Sequence, residues 1–168
     1  MDELTMQLAS IFETKIPDDI NTIVWDLDCT LGACPGWDGV MDPTKYIEGD
    51  IAATLANLAR ANIRNVLVSN NSMFCEDHYD ESASRFRALG FDDVVKCNRC
   101  TGRNKVFNVT RCVDCLSGVV LIDDQHAEVA SAVNSGAHAI HVFEPVFTAL
   151  TNNNFVVYSP SHSDEDGR

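Results

Sequence analysis

Basic residues are scarce in this sequence of 168 residues. Only 12 Lys and Arg residues stand against 25 Asp and Glu residues, which gives a formal net charge of −13 at pH 7. Proteins that coat nucleic acid draw most of their affinity from neutralising phosphates. The acidic balance therefore excludes general nucleic-acid coating, although it leaves room for a small basic site.

Long apolar runs and a basic leader are also missing. No stretch approaches the roughly 18 apolar residues of a membrane span, and the acidic start MDELTMQLAS lacks the basic and apolar regions of a signal peptide. We therefore expect a cytoplasmic protein with no membrane partner. In that compartment its 7 cysteines are expected to be reduced thiols or metal ligands rather than a disulfide framework.

The length and the hydrophobic content of 45% fit one globular domain, which we assign to residues 1–150. Residues 151–168 are predicted to form a C-terminal tail. This tail is expected to be partly disordered because its end, SPSHSDEDGR, is polar and charged and has nothing to bury.

Short apolar runs alternate with amphipathic stretches along the chain. The runs are continuously apolar, which is typical of parallel strands that are covered on both faces. This alternation predicts an α/β fold: a three-layer, doubly wound, Rossmann-like domain with a mainly parallel sheet of about five strands. The predicted strands are 22–27, 65–70, 92–96, 118–122 and 138–143, and the predicted helices are 4–14, 49–61, 77–89, 104–116 and 125–135.

Polar residues follow several of the predicted strands. In doubly wound sheets, ligands bind beyond the carboxyl ends of the strands. We therefore expect one site at this edge of the sheet. Its candidate residues are Asp26, Asp28 and Thr30 after the first strand, Ser69 and Asn70 after the second, Asp123 and Asp124 after the fourth, and Lys105 at the start of a predicted helix.

These residue types suit phosphoryl transfer from a phosphomonoester. One carboxylate can attack phosphorus to form an aspartyl-phosphate, and a second can protonate the leaving oxygen and then activate water. Mg²⁺ would keep the anions together, and a lysine and a serine would hold the phosphate oxygens. Asp26 and Asp28 can share one phosphate if the extended geometry persists, because residues i and i+2 of a strand face the same side.

Four short motifs carry a family resemblance. WDLDCTLG resembles the first motif of the haloacid dehalogenase (HAD) superfamily in its DxDxT phosphatase form. LVSNN, GRNK and LIDD are similar to the second, third and fourth motifs, and they occur in the right order over residues 22 to 143. The resemblance implies an HAD-type fold and a Mg²⁺-dependent phosphomonoester hydrolase that forms an aspartyl-phosphate.

The resemblance also implies a role for each acidic residue. Asp26 would be the nucleophile and a Mg²⁺ ligand. Asp28 would be the general acid and base and would offer its backbone carbonyl to the metal. Asp124 would bind Mg²⁺ directly, with Asp123 alongside.

The remaining motif residues would bind phosphate. These residues are Ser69, Asn70, Thr30 and Lys105, and Lys105 would also neutralise the nucleophile. Lys96 is the alternative, since only these two lysines lie between the second and fourth motifs. We favour Lys105 because GRNKVF resembles the family's GRKP pattern without its proline.

In this superfamily, lids are inserted after the first motif or between the second and third motifs. Neither interval of this sequence resembles a full cap domain. The chain is therefore similar to the capless subgroup that contains magnesium-dependent phosphatases and polynucleotide 3′-phosphatase domains. An open site would admit a phosphorylated small molecule or an exposed phosphate on a macromolecule. The sequence leaves the substrate and the oligomeric state open.

Other classes fit the sequence less well. A receiver domain places its acidic pair early and its lysine last, whereas residues 123–124 come late here and Lys105 precedes them. A P-loop needs a glycine-rich run that ends in Gly-Lys-Ser/Thr, and none exists. The alternative that remains is a catalytically weak phosphate- or protein-binding module on the same fold.

Four cysteines form the pattern C-x2-C-x11-C-x2-C, which is close to that of a four-thiolate zinc site. They are Cys97, Cys100, Cys112 and Cys115. Such a zinc ion would be structural, since four thiolates leave no open position. The second pair falls in a predicted helix with apolar neighbours, so core packing is an equal alternative, and a redox pair is a third.

Overall fold

A six-stranded sheet forms the centre of the protein. The computed structural model describes residues 1–32, 47–96, 105–110 and 112–160. The strands are β1 (Thr22–Trp25), β2 (Arg64–Leu67), β3 (Asp93–Val94), β4 (Val119–Asp123), β5 (His138–Val142) and β6 (Phe155–Tyr158). Their order across the sheet is β3-β2-β1-β4-β5-β6, and only β6 pairs antiparallel to its neighbour.

Helices cover both faces of this sheet. The α-helices are α1 (Glu3–Thr14), α2 (Ile51–Arg60), α3 (Tyr79–Leu89), α4 (His126–Ser135) and α5 (Val146–Thr151). Short 3₁₀ helices lie at Ser72–Phe74, Val106–Asn108 and Val113–Gly118. None of the helices in the described ranges is long and apolar enough to cross a membrane.

The hydrophobic core lies on both faces of the sheet. Trp25 of β1 packs in a cluster with buried residues of α1, α2, α3 and α5, whereas its neighbour Val24 packs in a second cluster with residues of α4. Successive strand residues face opposite sides, so a strand between two helical layers is apolar throughout. The predicted three-layer, doubly wound α/β fold is confirmed.

The region predicted as a helix over residues 104–116 is different in the structure. Its described residues form the two 3₁₀ helices Val106–Asn108 and Val113–Gly118. The sequence VFNVT in this region is rich in β-branched side chains, which lose rotamer freedom in an α-helix. Apolar spacing alone did not separate the two helix types, because i and i+3 neighbours are common to both.

The sheet also extends beyond the predicted end of the domain at residue 150. Residues 155–158 fall in the predicted tail, yet they form β6 on the edge of the sheet beside β5. The sheet therefore has six strands instead of about five. The polar residues around this short strand concealed it, and the last part of the predicted tail, 161–168, lies outside the described residues.

The strand order defines where a ligand can bind. β1 pairs with β2 on one side and with β4 on the other, and all of these pairs are parallel. The chain turns to one side of the sheet after β1 and reaches the other side through β4. Ligands of doubly wound sheets bind at such a switch point, outside the carboxyl ends of the strands.

Asp2 joins the first two helices. Its carboxylate accepts hydrogen bonds from the backbone N–H of Thr5 at 3.1 Å, from the hydroxyl of Thr54 at 2.6 Å and from the amide of Asn57 at 2.7 Å. Burial alone would raise the pKa of Asp2, but these donors favour the charged form and hold the pKa below its usual range. The ionised side chain thus both caps α1 and fastens it to α2.

We expect Asp2→Ala to lower the free energy of unfolding by about 1 to 2 kcal/mol at pH 7. The reason is that α1 loses its N-cap and that the donors on Thr5, Thr54 and Asn57 lose their acceptor. A lowered folded pKa stabilises the protein above the unfolded pKa of about 4 and loses this effect as pH falls. Urea denaturation at pH 7 and pH 3 should therefore show a smaller difference at pH 3. Glu3→Ala is the control, with a change below about 0.5 kcal/mol; an equal loss at both pH values would contradict the assignment.

Candidate functional site

Two carboxylates meet where β1 and β4 leave the sheet. Asp26 directly follows β1, and its backbone N–H donates to the carbonyl oxygen of Ile122 in β4 at 3.0 Å. Asp123 is the last residue of β4. This bond extends the pairing of the two strands by one residue, so it places the side chains of Asp26 and Asp123 side by side.

Lys105 bridges this pair. Its Nζ donates to Oδ1 of Asp26 at 2.7 Å and to Oδ2 of Asp123 at 2.8 Å, and its side chain is only 2% exposed. Lys96 is exposed instead, and its Nζ lies 5.4 Å from the centre of the Tyr79 ring. The structure therefore brings Lys105 into the site and leaves Lys96 outside it.

The charges of this trio depend on one another. Burial raises the pKa of Asp26 to about 6, and Lys105 opposes the shift. Burial and the charge of Asp26 raise the pKa of Asp123 to about 6, and Lys105 again opposes the shift. For Lys105, burial alone would lower the pKa, but the two carboxylates outweigh it and raise the pKa. Lys105 is thus a permanent cation, and Asp26 is mostly ionised at pH 7.

A tight turn brings Thr30 back onto Asp26. The turn contains Cys29 at a φ of 65°, and the backbone N–H of Leu31 donates to the carbonyl of Leu27 at 2.9 Å. The Thr30 hydroxyl donates to Oδ2 of Asp26 at 2.8 Å. Both oxygens of Asp26 are therefore oriented by donors.

The contacts of Thr30 differ from those expected of the phosphate-binding residue that the sequence predicts. Its side chain is fully buried, and its hydroxyl lies 3.5 Å from Oδ1 of Asp124 as well as against Asp26. A hydroxyl has one proton, and that proton is directed at carboxylates. Thr30 therefore orients the acidic residues instead of facing a ligand.

Asp28 is held by the loop that follows β2. The Asn71 amide donates to the two Asp28 oxygens at 3.0 and 3.3 Å, while the Asn71 carbonyl oxygen accepts from the backbone N–H of Met73 at 3.0 Å. Burial raises the pKa of Asp28, and the Asn71 bond and Lys105 oppose this shift. A raised pKa suits a carboxyl group that must deliver a proton.

Ser69 and Asn70 line the same cavity as Asp26 and Asp28. The Ser69 hydroxyl oxygen accepts from the backbone N–H of Asn71 at 3.0 Å, which directs its own proton elsewhere. The Asn70 side chain hydrogen-bonds Glu128. Both residues follow β2, as the sequence predicts.

These side chains surround a cavity of about 290 Å³. A volume of this size is at the lower end for small-molecule sites. The lining includes six of the predicted site residues: Asp26, Asp28, Ser69, Asn70, Lys105 and Asp124. The structure therefore gathers residues from four separate segments of the chain around one opening.

The same edge carries a group of oxygen ligands. Asp26, Asp123 and Asp124 each offer one carboxylate oxygen, and these atoms all lie within 4.8 Å of one another. The Asp28 side chain does not belong to this group within the described residues. Oxygen-only ligands suit a hard cation such as Mg²⁺.

The charge balance also fits a divalent cation. In the described part of the site, Lys105 is the one cation beside the carboxylates of Asp26, Asp28, Asp123 and Asp124. Both oxygens of Asp123 are engaged, by Lys105 and by the backbone N–H of Gln125 at 3.0 Å. Both oxygens of Asp26 accept hydrogen bonds as well, from Lys105 and from Thr30, so these bonds do not rank Asp26 above Asp123 as a metal ligand.

Glu128 is a site residue that the sequence reasoning missed. Its carboxylate accepts from the backbone N–H of Lys105 and from the side chain of Asn70, and burial raises its pKa. It thus ties the lysine to the loop after β2. The available signal was its position, because Glu128 lies in the first turn of the helix that begins two residues after Asp124.

The predicted zinc site is not supported, and the expectation that the cysteines are reduced thiols or metal ligands is wrong for one pair. Cys112 and Cys115 are joined by a disulfide with a Cα–Cα distance of 5.2 Å, and both are exposed. A disulfide uses both thiols, so this pair has no thiolate to offer zinc, and its exposure excludes core packing. Cys97 and Cys100 lie outside the described residues.

Fold and site together define a Rossmann-like α/β domain with an acidic, lysine-containing cavity at the carboxyl edge of its sheet. No family model and no curated protein sequence matches the chain. Among solved structures, the chain is similar to one from Vibrio cholerae described as a 3-deoxy-D-manno-octulosonate 8-phosphate phosphatase. The sequence identity is 14% and the TM-score 0.50, over 75% of this chain and 66% of that one.

A second similar structure is a 3-deoxy-D-manno-octulosonate 8-phosphate phosphatase from Moraxella catarrhalis in complex with a magnesium ion, a phosphate ion and a KDO molecule. Its identity is also 14%, with a TM-score of 0.44 over 80% of this chain and 69% of that one. This chain spans slightly less than two thirds of the Vibrio chain. The comparison with the Vibrio structure supports the fold.

Proposed function

We propose that the protein is a Mg²⁺-dependent phosphomonoester hydrolase of the HAD type that acts through an aspartyl-phosphate on Asp26. One observation carries the proposal. Asp26 has each oxygen oriented by a separate donor, Lys105 at 2.7 Å and Thr30 at 2.8 Å, directly beside the acidic group that suits a cation. A carboxylate held in this way meets the need for a preorganised nucleophile.

The chemistry then divides between Asp26 and Asp28. An oxygen of Asp26 attacks phosphorus, the bond from phosphorus to the leaving oxygen breaks, and Asp28 gives that oxygen its proton. Asp28 next takes a proton from a water molecule, whose oxygen attacks the aspartyl-phosphate and releases inorganic phosphate. Asp26 is thereby restored, and Asp28 is again protonated.

Other residues hold the phosphoryl group and its charge. The Ser69 hydroxyl and the Lys105 ammonium both line the cavity and would donate to the non-bridging oxygens. Asp26 and Asp124, with the backbone carbonyl of Asp28, would hold Mg²⁺. When bound, this ion would supply positive charge between the carboxylates and the phosphate.

Asp28 suits the acid and base role because its environment differs from that of Asp26. Asp26 is in direct contact with the lysine, which favours the ionised form. Among the described residues, the side-chain hydrogen-bond partner of Asp28 is the neutral amide of Asn71, and burial raises the pKa of Asp28. Burial raises the pKa of both groups, so the division of roles rests on these contacts: the lysine holds Asp26 in place as the nucleophile, and Asp28 lies outside that ion pair.

The substrate class depends on how open the site is. We propose that the enzyme has no large cap and accepts a phosphorylated small molecule or an exposed phosphate. The catalytically weak phosphate- or protein-binding module is the competing function. The oriented Asp26 argues against it, because a binding site gains nothing from a buried carboxylate next to an anionic ligand.

Release of p-nitrophenol from p-nitrophenyl phosphate tests the proposal. We expect turnover with excess Mg²⁺, a rate at least about tenfold lower after chelation, and recovery when Mg²⁺ is added back. A binding module would instead bind inorganic phosphate without turnover, which calorimetry would detect. Turnover that is insensitive to the chelator would contradict the metal assignment.

A further inference from the structure

Three aromatic rings form a row beside the acidic cavity. His126 is the first residue of α4, His141 lies in β5, and Phe143 follows that strand. The ring centres are 6.0 Å apart for His126 and His141 and 4.4 Å apart for His141 and Phe143, with interplanar angles of 41° and 40°. We refer to these three residues as the aromatic row.

The aromatic row is attached to the acidic site. His141 Nε2 lies 3.0 Å from the backbone carbonyl oxygen of Asp124, and a carbonyl only accepts, so Nε2 carries the proton and donates. Gln125, which lines the cavity, directly precedes His126. The row therefore adjoins the rim of the cavity at two of its members, His126 and His141.

Phe143 at the end of the row is 54% exposed, whereas its neighbour His141 is only 7% exposed. A single exposed apolar side chain needs no explanation. This one, however, stands just past the carboxyl end of β5, at the edge where ligands of this fold class bind. Its ring also packs against the buried ring of His141, which a hydrogen bond to Asp124 holds in place.

We propose that the aromatic row is a subsite that binds a planar ring of the substrate, so that the preferred substrates are phosphomonoesters with a heteroaromatic group, of the size of a nucleoside monophosphate. This inference rests on the proposed phosphatase function. The phosphate would lie between Asp26 and Ser69 in the cavity, and the ring would stack on the exposed face of Phe143. Aromatic side chains accept planar rings in this way with little dependence on the identity of the base.

Charge favours a small substrate over a polynucleotide. The chain has a net charge of −13, and Asp124, Glu128 and Glu144 all lie close in sequence to members of the aromatic row. A polynucleotide would bring further phosphates onto this acidic surface. A monophosphate carries its charge only into the cavity, where Lys105 and the proposed Mg²⁺ site would balance it.

The test compares two substrates that differ only in the ring. Adenosine 5′-monophosphate and ribose 5-phosphate carry the same phosphorylated sugar, and only the first carries a base. We expect the kcat/KM of the wild-type protein with Mg²⁺ to be at least about tenfold higher for adenosine 5′-monophosphate. Phe143→Ala should lower this value by about tenfold and change that for ribose 5-phosphate by less than about twofold, and Phe143→Trp should restore the preference.

Tyr158→Ala is the matched control, because Tyr158 is another exposed aromatic residue but pairs with Ala139, nearer the amino end of β5. It should leave both values unchanged. Equal kcat/KM values for the two wild-type reactions, or an equal effect of Phe143→Ala on both, would overturn the aromatic subsite while the phosphatase function stands. No hydrolysis of either substrate or of p-nitrophenyl phosphate would overturn the phosphatase function itself.

Discussion

Replacement of Asp26 by Asn is expected to lower the kcat for p-nitrophenyl phosphate by at least about 10³-fold. The amide has the shape of the carboxylate, but it is not a nucleophile and binds Mg²⁺ poorly. Its oxygen can still accept from Lys105, and its NH₂ group can donate to Thr30, whose hydroxyl can turn to accept. The loss therefore reports on chemistry and not on the positions of the neighbouring residues.

Circular dichroism should show that the Asp26→Asn protein retains its fold and a cooperative thermal transition. Burial raises the pKa of Asp26 to about 6, so the ionised group costs stability at neutral pH and its removal is tolerated. Asp80→Asn is the control, since Asp80 is exposed in the first turn of α3. Retention of more than about a tenth of the wild-type rate by Asp26→Asn would exclude the covalent mechanism.

The second large effect concerns stability. Replacement of Lys105 by Met is expected to lower the free energy of unfolding of the metal-free protein by about 3 to 5 kcal/mol at pH 8. The lysine is 2% exposed and is the donor to both Asp26 and Asp123. Without it, two buried carboxylates face each other with no cation between them.

This loss should shrink at lower pH. Asp26 and Asp123 have folded pKa values of about 6, above the unfolded value of about 4. A raised carboxyl pKa contributes stability that is present below the unfolded pKa and is lost as pH rises through the folded pKa. Removal of Lys105 raises the pKa values of both carboxyl groups further, so the variant loses more stability than the wild type between pH 4 and pH 8.

Urea denaturation in the presence of a chelator at pH 5 and pH 8 measures this difference. Lys96→Met is the matched control because Lys96 is exposed and contacts only the Tyr79 ring among the interactions described for it. Its effect should stay below about 1 kcal/mol at both pH values. Similar losses for the two lysine variants, or a Lys105→Met effect that does not depend on pH, would show that Lys105 does not balance the carboxylates.

The sequence predicts the central strands and the edge at which the site lies. β1, β2, β4 and β5 overlap the predicted apolar runs, because a strand covered by helices on both faces has few solvent-exposed positions. Asp26, Ser69 and Asp124 come from separate segments, yet they lie around one cavity. Parallel strands bring their carboxyl ends to one edge of the sheet, so the order of short motifs is sufficient to group these residues.

The edge strand β6 and the cysteine pair were beyond this reasoning. β6 is a run of only four apolar residues, FVVY, and it lies between polar stretches that were assigned to the tail, so its pairing with β5 was not predicted. Cys112 and Cys115 have the spacing of zinc ligands and of a disulfide alike. The local sequence specifies neither the pairing of β6 with β5 nor the oxidation state of the two cysteines.

The sequence by itself therefore determined the fold class and the edge of the sheet that carries the acidic residues, since both follow from local patterns of apolar and polar residues. Only the tertiary structure decided the partners of each side chain. It selected Lys105 over Lys96, turned Thr30 toward Asp26 and placed Glu128 behind the lysine. Hydrogen bonds and ion pairs act over about 3 Å, and the separation of two residues along the chain does not specify their distance in the fold.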